Sequence, residues 1–228
     1  MSDDHNAPPL NPLPVVVWLL FLPMLAIEGV MQLGASGFVG GPGAIGWRLL
    51  AVQDFGFYGQ MLPIMAERGQ YPPALLMRFV SYAFVNGSFT QFLFVAVFLL
   101  ALGKMVGEVF RAWAVAVVFF GASMFGALVY GLVLGDAPPL IGGFPAVYGL
   151  IGAFTYILWM NLAHHGANPY RAFSLIGMLL GIQLLFGALF GVAPDWIAEL
   201  AGFVAGFGLS FLVSPGGWSR IVKKLRQR

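Results

Sequence analysis

Three histidines, His5, His164 and His165, are the side chains in this chain of 228 residues that would most readily exchange a proton near neutral pH. Beside a hydroxyl, one of them would activate a serine nucleophile; four apart on a helix, two of them would grip a metal. Their positions serve neither chemistry. His5 stands near the start, and His164 and His165 are adjacent, so on a helix they point apart. There is no His-Glu-x-x-His motif, no Asp/Glu cluster and no Cys, so neither a metal nor another cofactor is expected. Ser88 and Ser123 are the least peripheral hydroxyls of the apolar stretches, and neither has an evident titratable neighbour. Lys104, which could stand in as a base, falls at the end of its stretch. Glu28 is an acid within an apolar run, where a charge costs about 2.5–3.5 kcal/mol at mid-membrane. Its place near the run's outer end favours a structural role, interfacial or between helix and loop, over proton coupling.

The elements that would position these groups follow from composition. The chain is 60% hydrophobic and 9% charged, with a mean hydropathy of +0.88; soluble domains carry about a quarter charged residues. A soluble enzyme, a nucleic-acid binder and a disordered scaffold are excluded. A net charge of +2 is too small to imply a polyanionic partner. Uncharged stretches suited to crossing a bilayer once, at about 20 residues each, predict an all-α polytopic bundle. Its six transmembrane helices lie near Pro14–Leu33, Val80–Leu102, Trp113–Val133, Gly143–Leu162, Phe173–Val192 and Trp196–Val213. Residues 1–13 read as a disordered tail, 14–213 as the membrane domain and 214–228 as a basic tail.

Six crossings put both ends on one side. Arg220, Lys223, Lys224, Arg226 and Arg228 lie there with Lys104, Arg111 and Arg171, leaving Arg48, Arg68 and Arg78 opposite. The positive-inside tendency makes the first group cytoplasmic, and the expected location is the bacterial inner membrane. The start lacks the basic region and cleavage site of a signal peptide, so the first span is expected to be retained. Trp18, Trp113, Trp159, Trp196 and Trp218 fall near span ends. The first connection, from Gly34 to about Arg78, is long, apolar and broken by Gly and Pro. It is either a gate or docking platform, or a shield for the bundle. The basic tail serves as a topological anchor that attracts anionic lipid, or as a partner site.

Three segments together resemble the rhomboid family of six-span intramembrane serine proteases. The run Arg78-Phe-Val-Ser-Tyr-Ala-Phe-Val-Asn86-Gly87-Ser88-Phe-Thr-Gln91 is similar to the family's Arg followed by Phe-x-His-Gly-Ser-x-x-His-x-x-x-Asn. It continues into Leu102-Gly103-Lys104-Met-Val-Gly107-Glu108, similar to the Gly…Glu ending of that helix. Gly142-Gly143-Phe144-Pro145-Ala146-Val147-Tyr148-Gly149-Leu150-Ile151-Gly152 resembles Gly-x-Ser-Gly-Ala-Val-Tyr-x-Leu-x-Gly, and Ala201-Gly202-Phe203-Val204-Ala205-Gly206 occupies the place of Ala-His-x-x-Gly.

Carried over residue by residue, the resemblance keeps the frame and loses the chemistry. Arg78, Gly87, Ser88, Gly103, Glu108, Tyr148 and Gly152 are retained. The nucleophile position is Phe144, followed by Pro145; the base position is Gly202; the oxyanion positions are Asn86, Gln91 and Val95. Losing nucleophile or base alone costs about 10⁶-fold in a serine protease. The resemblance therefore implies a catalytically inactive pseudoprotease that binds transmembrane segments of other proteins, for retention, chaperoning or as an adaptor. The alternatives are a protease using unusual residues and, more remotely, a small-solute transporter or channel relying on Asn86, Gln91, Asn161, Gln183 and Glu28. Asn86, Phe144, Tyr148 and Gly202 are the residues expected to line a client cavity. On a continuous helix Asn86 and Gln91 point about 140° apart and form no joint site; Asn86 either faces the former active-site cavity or makes an interhelical hydrogen bond. Pro145 suits a first helical turn. Gly149 and Gly152, with Gly202 and Gly206, are expected to let the fourth and sixth helices approach closely. The expected partners are client membrane proteins and the lipid bilayer, with no nucleic acid, and the oligomeric state is left open.

Overall fold

A computed structural model describes residues 12–190 and 194–214. Most of the expected N-terminal tail, with His5, lies outside those residues, as do nearly all of the basic tail and Trp218. The described chain is helical throughout: α1 (Val15–Ala35), α2 (Trp47–Phe55), α3 (Met61–Arg68), α4 (Pro73–Ser81), α5 (Phe89–Gly107), α6 (Ala112–Val133), α7 (Phe144–His164), α8 (Ser174–Phe190) and α9 (Trp196–Val213). Short 3-10 turns at 41–46, 82–84 and 169–173 link some of them. Among the described residues no strand forms; Phe57 and Leu140 make one isolated antiparallel bridge.

Among the described residues, five helices are long and apolar enough to cross a bilayer: α1, α5, α6, α7 and α9. α8 stands where the fifth crossing is expected and has 17 residues. The largest departure from the expected spans is the second. In place of a helix from Val80, α4 ends at Ser81, a 3-10 turn covers Tyr82–Phe84, and α5 begins only at Phe89. Ser88 is the reason. Its backbone is extended (φ −150°, ψ 159°) and its hydroxyl accepts from the Gln91 amide at 3.1 Å, an N-cap that starts a helix at the next residue.

The connection between α1 and α5 folds into α2, α3 and α4 and is fastened to the bundle by polar contacts. Phe57 N–H donates to the Leu140 carbonyl (3.1 Å) and Leu140 N–H to that of Phe57 (2.8 Å). The Arg78 guanidinium donates to the Gly56 carbonyl at 3.2 Å and lies over the Tyr58 ring. Beneath these contacts Phe57, Met61, Met65, Tyr82, Tyr130 and Leu140 form a small core of their own.

α7 is the centre of the main core, with every residue from Pro145 to Ala153 buried. Apolar side chains cover the outside as well as the inside of this bundle: Leu19, Leu22, Val30 and Leu33 on α1 and Trp113, Phe125 and Leu132 on α6 are exposed. Hydrophobicity therefore cannot order the helices, and close packing does. A Cβ on Gly206 would overlap the Gly149 carbonyl, one on Gly152 the Phe203 carbonyl, and one on Gly202 the Pro145 carbonyl. The contacts advance in the same direction along both chains, so α7 and α9 run parallel with their backbones touching, as the glycine spacing leads one to expect. Gly103 against the Val17 side chain and Gly107 against the Pro14 ring bring α5 close to α1 and the residue before it, the two helices running antiparallel.

Gly206→Leu is expected to lower stability by about 3 kcal/mol or more, the upper end of ordinary overpacking costs. Gly208→Ala on the same helix, with nothing within 4 Å of its Cβ position, changes stability by less than about 0.5 kcal/mol. Denaturant unfolding in mixed micelles compares the two.

Candidate functional site

The segment Pro138–Gly143 sets the geometry at the start of α7. The Tyr130 hydroxyl donates to the Pro138 carbonyl at 2.8 Å, Leu140 is bridged to Phe57, and Gly142 N–H donates to the Tyr82 carbonyl at 2.9 Å. Gly142 has φ +93°, and Asn86 and Gln91 pack against it so closely that a side chain would strike the Gln91 amide. Glycine is required there on both counts.

Asn86 and Gln91 therefore meet at one place, contrary to the divergence expected for a continuous helix. The reason is the Ser88 cap: Asn86 belongs to the non-helical stretch before α5, so helical spacing does not apply to it. The Gln91 amide donates to the Ile141 carbonyl (3.2 Å) and its oxygen accepts from Gly87 N–H (2.8 Å). Asn86 is 1% exposed, yet neither its Nδ2 nor its Oδ1 has a partner. Such orphaned amides are rare in buried positions and costly.

The remaining expected site residues lie on α5, α7 and α9. Phe144 is the first residue of α7, half-buried and packed against the main core. Pro145 follows in the first turn. Val95 is fully buried, its methyl set against Gly143. Tyr148 is buried one turn further on, its hydroxyl hydrogen-bonded to the Glu199 side chain on α9. Gly202 lies with its backbone on that of Pro145. The polar groups retained near this site are engaged structurally. The Ser88 hydroxyl caps α5, and the buried Ser123 hydroxyl donates to the Phe119 carbonyl at 3.0 Å. Lys104 is in the last turn of α5 and His164 ends α7, about 30 Å from Phe144 at 1.5 Å per residue. His165 contacts the Asn161 carbonyl at 2.8 Å. Among the described residues no group of His, Asp and Glu could hold a metal ion.

An ion pair missed from sequence locks this end of the bundle. Glu28 is 2% exposed, in the middle of the buried face of α1, and both its oxygens accept from the guanidinium of Arg48 on α2. Gln32, one turn along α1, donates to the same carboxylate at 2.9 Å. Arg48 also donates to the Asn86 carbonyl. One fork thus joins α1, α2 and the stretch before α5. The expected structural role for Glu28 holds, but for a different reason: the carboxylate is neutralised by a bidentate arginine, not by proximity to headgroups. The signal was an isolated acid and an isolated arginine 20 residues apart, which no local pattern connects. Glu199 was missed in the same way, as an acid at the edge of an apolar run.

Asp195, just before α9, is pushed above the usual carboxylate range by burial.

Two measurements test this geometry. Arg48→Met strands the buried Glu28 carboxylate and is expected to cost about 3–5 kcal/mol, while Arg48→Met with Glu28→Met recovers most of that loss; unfolding midpoints of the single and double variants decide it. Because the folded chain holds the Asp195 proton to higher pH than the unfolded chain, stability falls as pH rises from about 3.9 through the raised folded value. Asp195→Asn is expected to match the wild type below that window and to exceed it at neutral pH, read as melting temperature against pH.

A family model, the Rhomboid domain, matches residues 73–216, from α4 through α9. No curated protein matches the chain.

Proposed function

The chain belongs to the rhomboid family, and from that premise we propose that it is a proteolytically inactive membrane protein that binds transmembrane segments of other proteins, acting in retention, chaperoning or as an adaptor. The observation that carries this reading is the contact between Gly202 and Pro145. The family's base position lies backbone to backbone with the residue after its nucleophile position, and even a Cβ there would overlap the Pro145 carbonyl. A histidine has no volume to occupy, and Phe144 fills the place of the nucleophile. General-base activation of a hydroxyl needs the two groups within hydrogen-bond reach, and Ser88 and Ser123 are committed to capping and to the α6 backbone.

Recognition of a spanning segment asks for less than catalysis does. It needs a stable frame, and it gains from a polar group with unspent hydrogen-bonding capacity, since such a group can engage a client's polar residue or loosened helix turn. Asn86 has that capacity and, being 1% exposed, is reached where an entering segment displaces its cover. Phe144, half-buried at the start of α7, supplies apolar surface, Tyr148 is buried one turn on, and Gly202 provides the close helix contact. On the same reading both termini lie in the cytoplasm of a bacterial inner membrane, from the distribution of basic residues along the chain.

The test pairs binding with labelling. With a photocrosslinking residue at position 144, the purified protein is expected to capture a defined single-span membrane protein in bilayers, and Asn86→Ala is expected to weaken that capture. A fluorophosphonate probe is expected to leave the protein unlabelled. Labelling that disappears on Ser88→Ala or Ser123→Ala would replace this reading with a protease of unusual composition.

A further inference from the structure

A second feature lies away from the α7–α9 seam. Between α1, α2 and the Ser81–Val85 stretch is a cavity of about 620 Å3, lined by Ile27, Val30, Met31, Trp47, Ala51 and Phe55 among others. Its lining is almost wholly apolar, with Ser81 the one hydroxyl in it. It is open on one side. Its α1 residues begin at Ala26 and end at Met31, about 6–14 Å along the axis from the helix end at Ala35, which is the depth of one leaflet's hydrocarbon. Val30 and the neighbouring Leu33 of α1 are exposed, so the open side continues into the lipid-facing surface of a spanning helix.

We infer that this cavity is a binding site for a single acyl chain of a membrane phospholipid. Water is excluded as the occupant, because an apolar cavity without polar partners stays dry and takes apolar guests. A whole client helix does not fit inside it: with side chains a helix is about 10–12 Å across, so one turn fills about 400–600 Å3, and the cavity would hold a single turn of a segment that needs five or six. Left empty, the cavity would deprive its lining of contacts on one side. A flexible chain already present at that depth fills it without ordering a second protein.

The site also has structural reach. Trp47 forms part of its wall and lies against Gly34 near the end of α1 and Gly40 just before the 3-10 turn at 41–46, so closely that neither could carry a side chain without displacing the ring. The next residue is Arg48, which holds Glu28 and the Asn86 carbonyl. A chain seated in the cavity supports the α2 face that delivers this arginine. The inference is independent of client binding and survives if that reading fails.

Trp47 provides the probe. A variant in which Trp18, Trp113, Trp159, Trp196 and Trp218 are Phe leaves Trp47 as the sole emitter; a second variant keeps only Trp113, which is exposed on α6. Phosphatidylcholine with brominated acyl chains is titrated into each in detergent. Trp47 emission is expected to be quenched with saturation near one equivalent, while Trp113 emission responds only to excess lipid. Filling the cavity with Ala51→Phe, or from the opposite wall with Ala26→Phe, is expected to weaken the Trp47 response about tenfold, or about 1.4 kcal/mol. Parallel quenching of Trp47 and Trp113 would mean a non-specific lipid annulus and overturn the inference. So would a Trp47 response unchanged by both filling variants, or a bound lipid displaced at one equivalent by a single-span peptide, which would assign the cavity to a client.

Discussion

Direct contact between the backbones of α7 and α9 is the constraint on which the rest of this structure depends. In a bilayer the lipid tails are as apolar as the side chains, so burial of apolar surface gives the helices no reason to choose one another. Close approach of two backbones supplies that choice, through dispersion contacts that only residues without side chains permit. Gly149, Gly152, Gly202 and Gly206 together bring this about. α6 then packs on the pair through Gly126 against Ala198 and Ala122 against Gly149. The seam orders the bundle.

A different kind of force organises the end of the bundle where α7 begins. There the chain departs from regular helix, and each departure frees backbone groups that the bilayer could not satisfy. Arg48 answers several of these needs at once, by neutralising Glu28 and by donating to the Asn86 carbonyl. The Phe57–Leu140 bridge and the Gly142–Tyr82 hydrogen bond tie the remaining backbone of the loops together. Removing a charge from such a fork exposes the unpaired partner to a low-dielectric interior, so the fork behaves as one unit and not as three separate bonds.

Much of this was readable in the sequence, for identifiable reasons. Long uncharged runs mark spans because charges are excluded from hydrocarbon, and the bounds of α9 coincide with those expected from Trp196 to Val213. The glycine spacing on α7 and α9 reveals their contact because helical periodicity places those residues on one stripe. The start of α5 was misplaced because apolar content runs unbroken from Phe79 to Leu102, and only Asn86-Gly87-Ser88 signals that a helix ends and another is capped. That short polar signal carries less weight than the run around it, and the meeting of Asn86 with Gln91 followed from it. The pairs Glu28–Arg48 and Tyr148–Glu199 were illegible for another reason. Their members lie on different elements, and no periodicity within one element identifies its partner in another.

The Gly202 contact also determines what this scaffold can become. A protein that had merely exchanged a catalytic side chain for an inert one could regain it in a single step, with the vacated space still waiting. If the chain is the inactive protein proposed above, the backbones of Gly202 and Pro145 have closed over that space. Each route back to a histidine begins with separation of α7 from α9, and so passes through forms less stable than either end. On that reading the fold works as a ratchet, its packing opposing any side chain at Gly202.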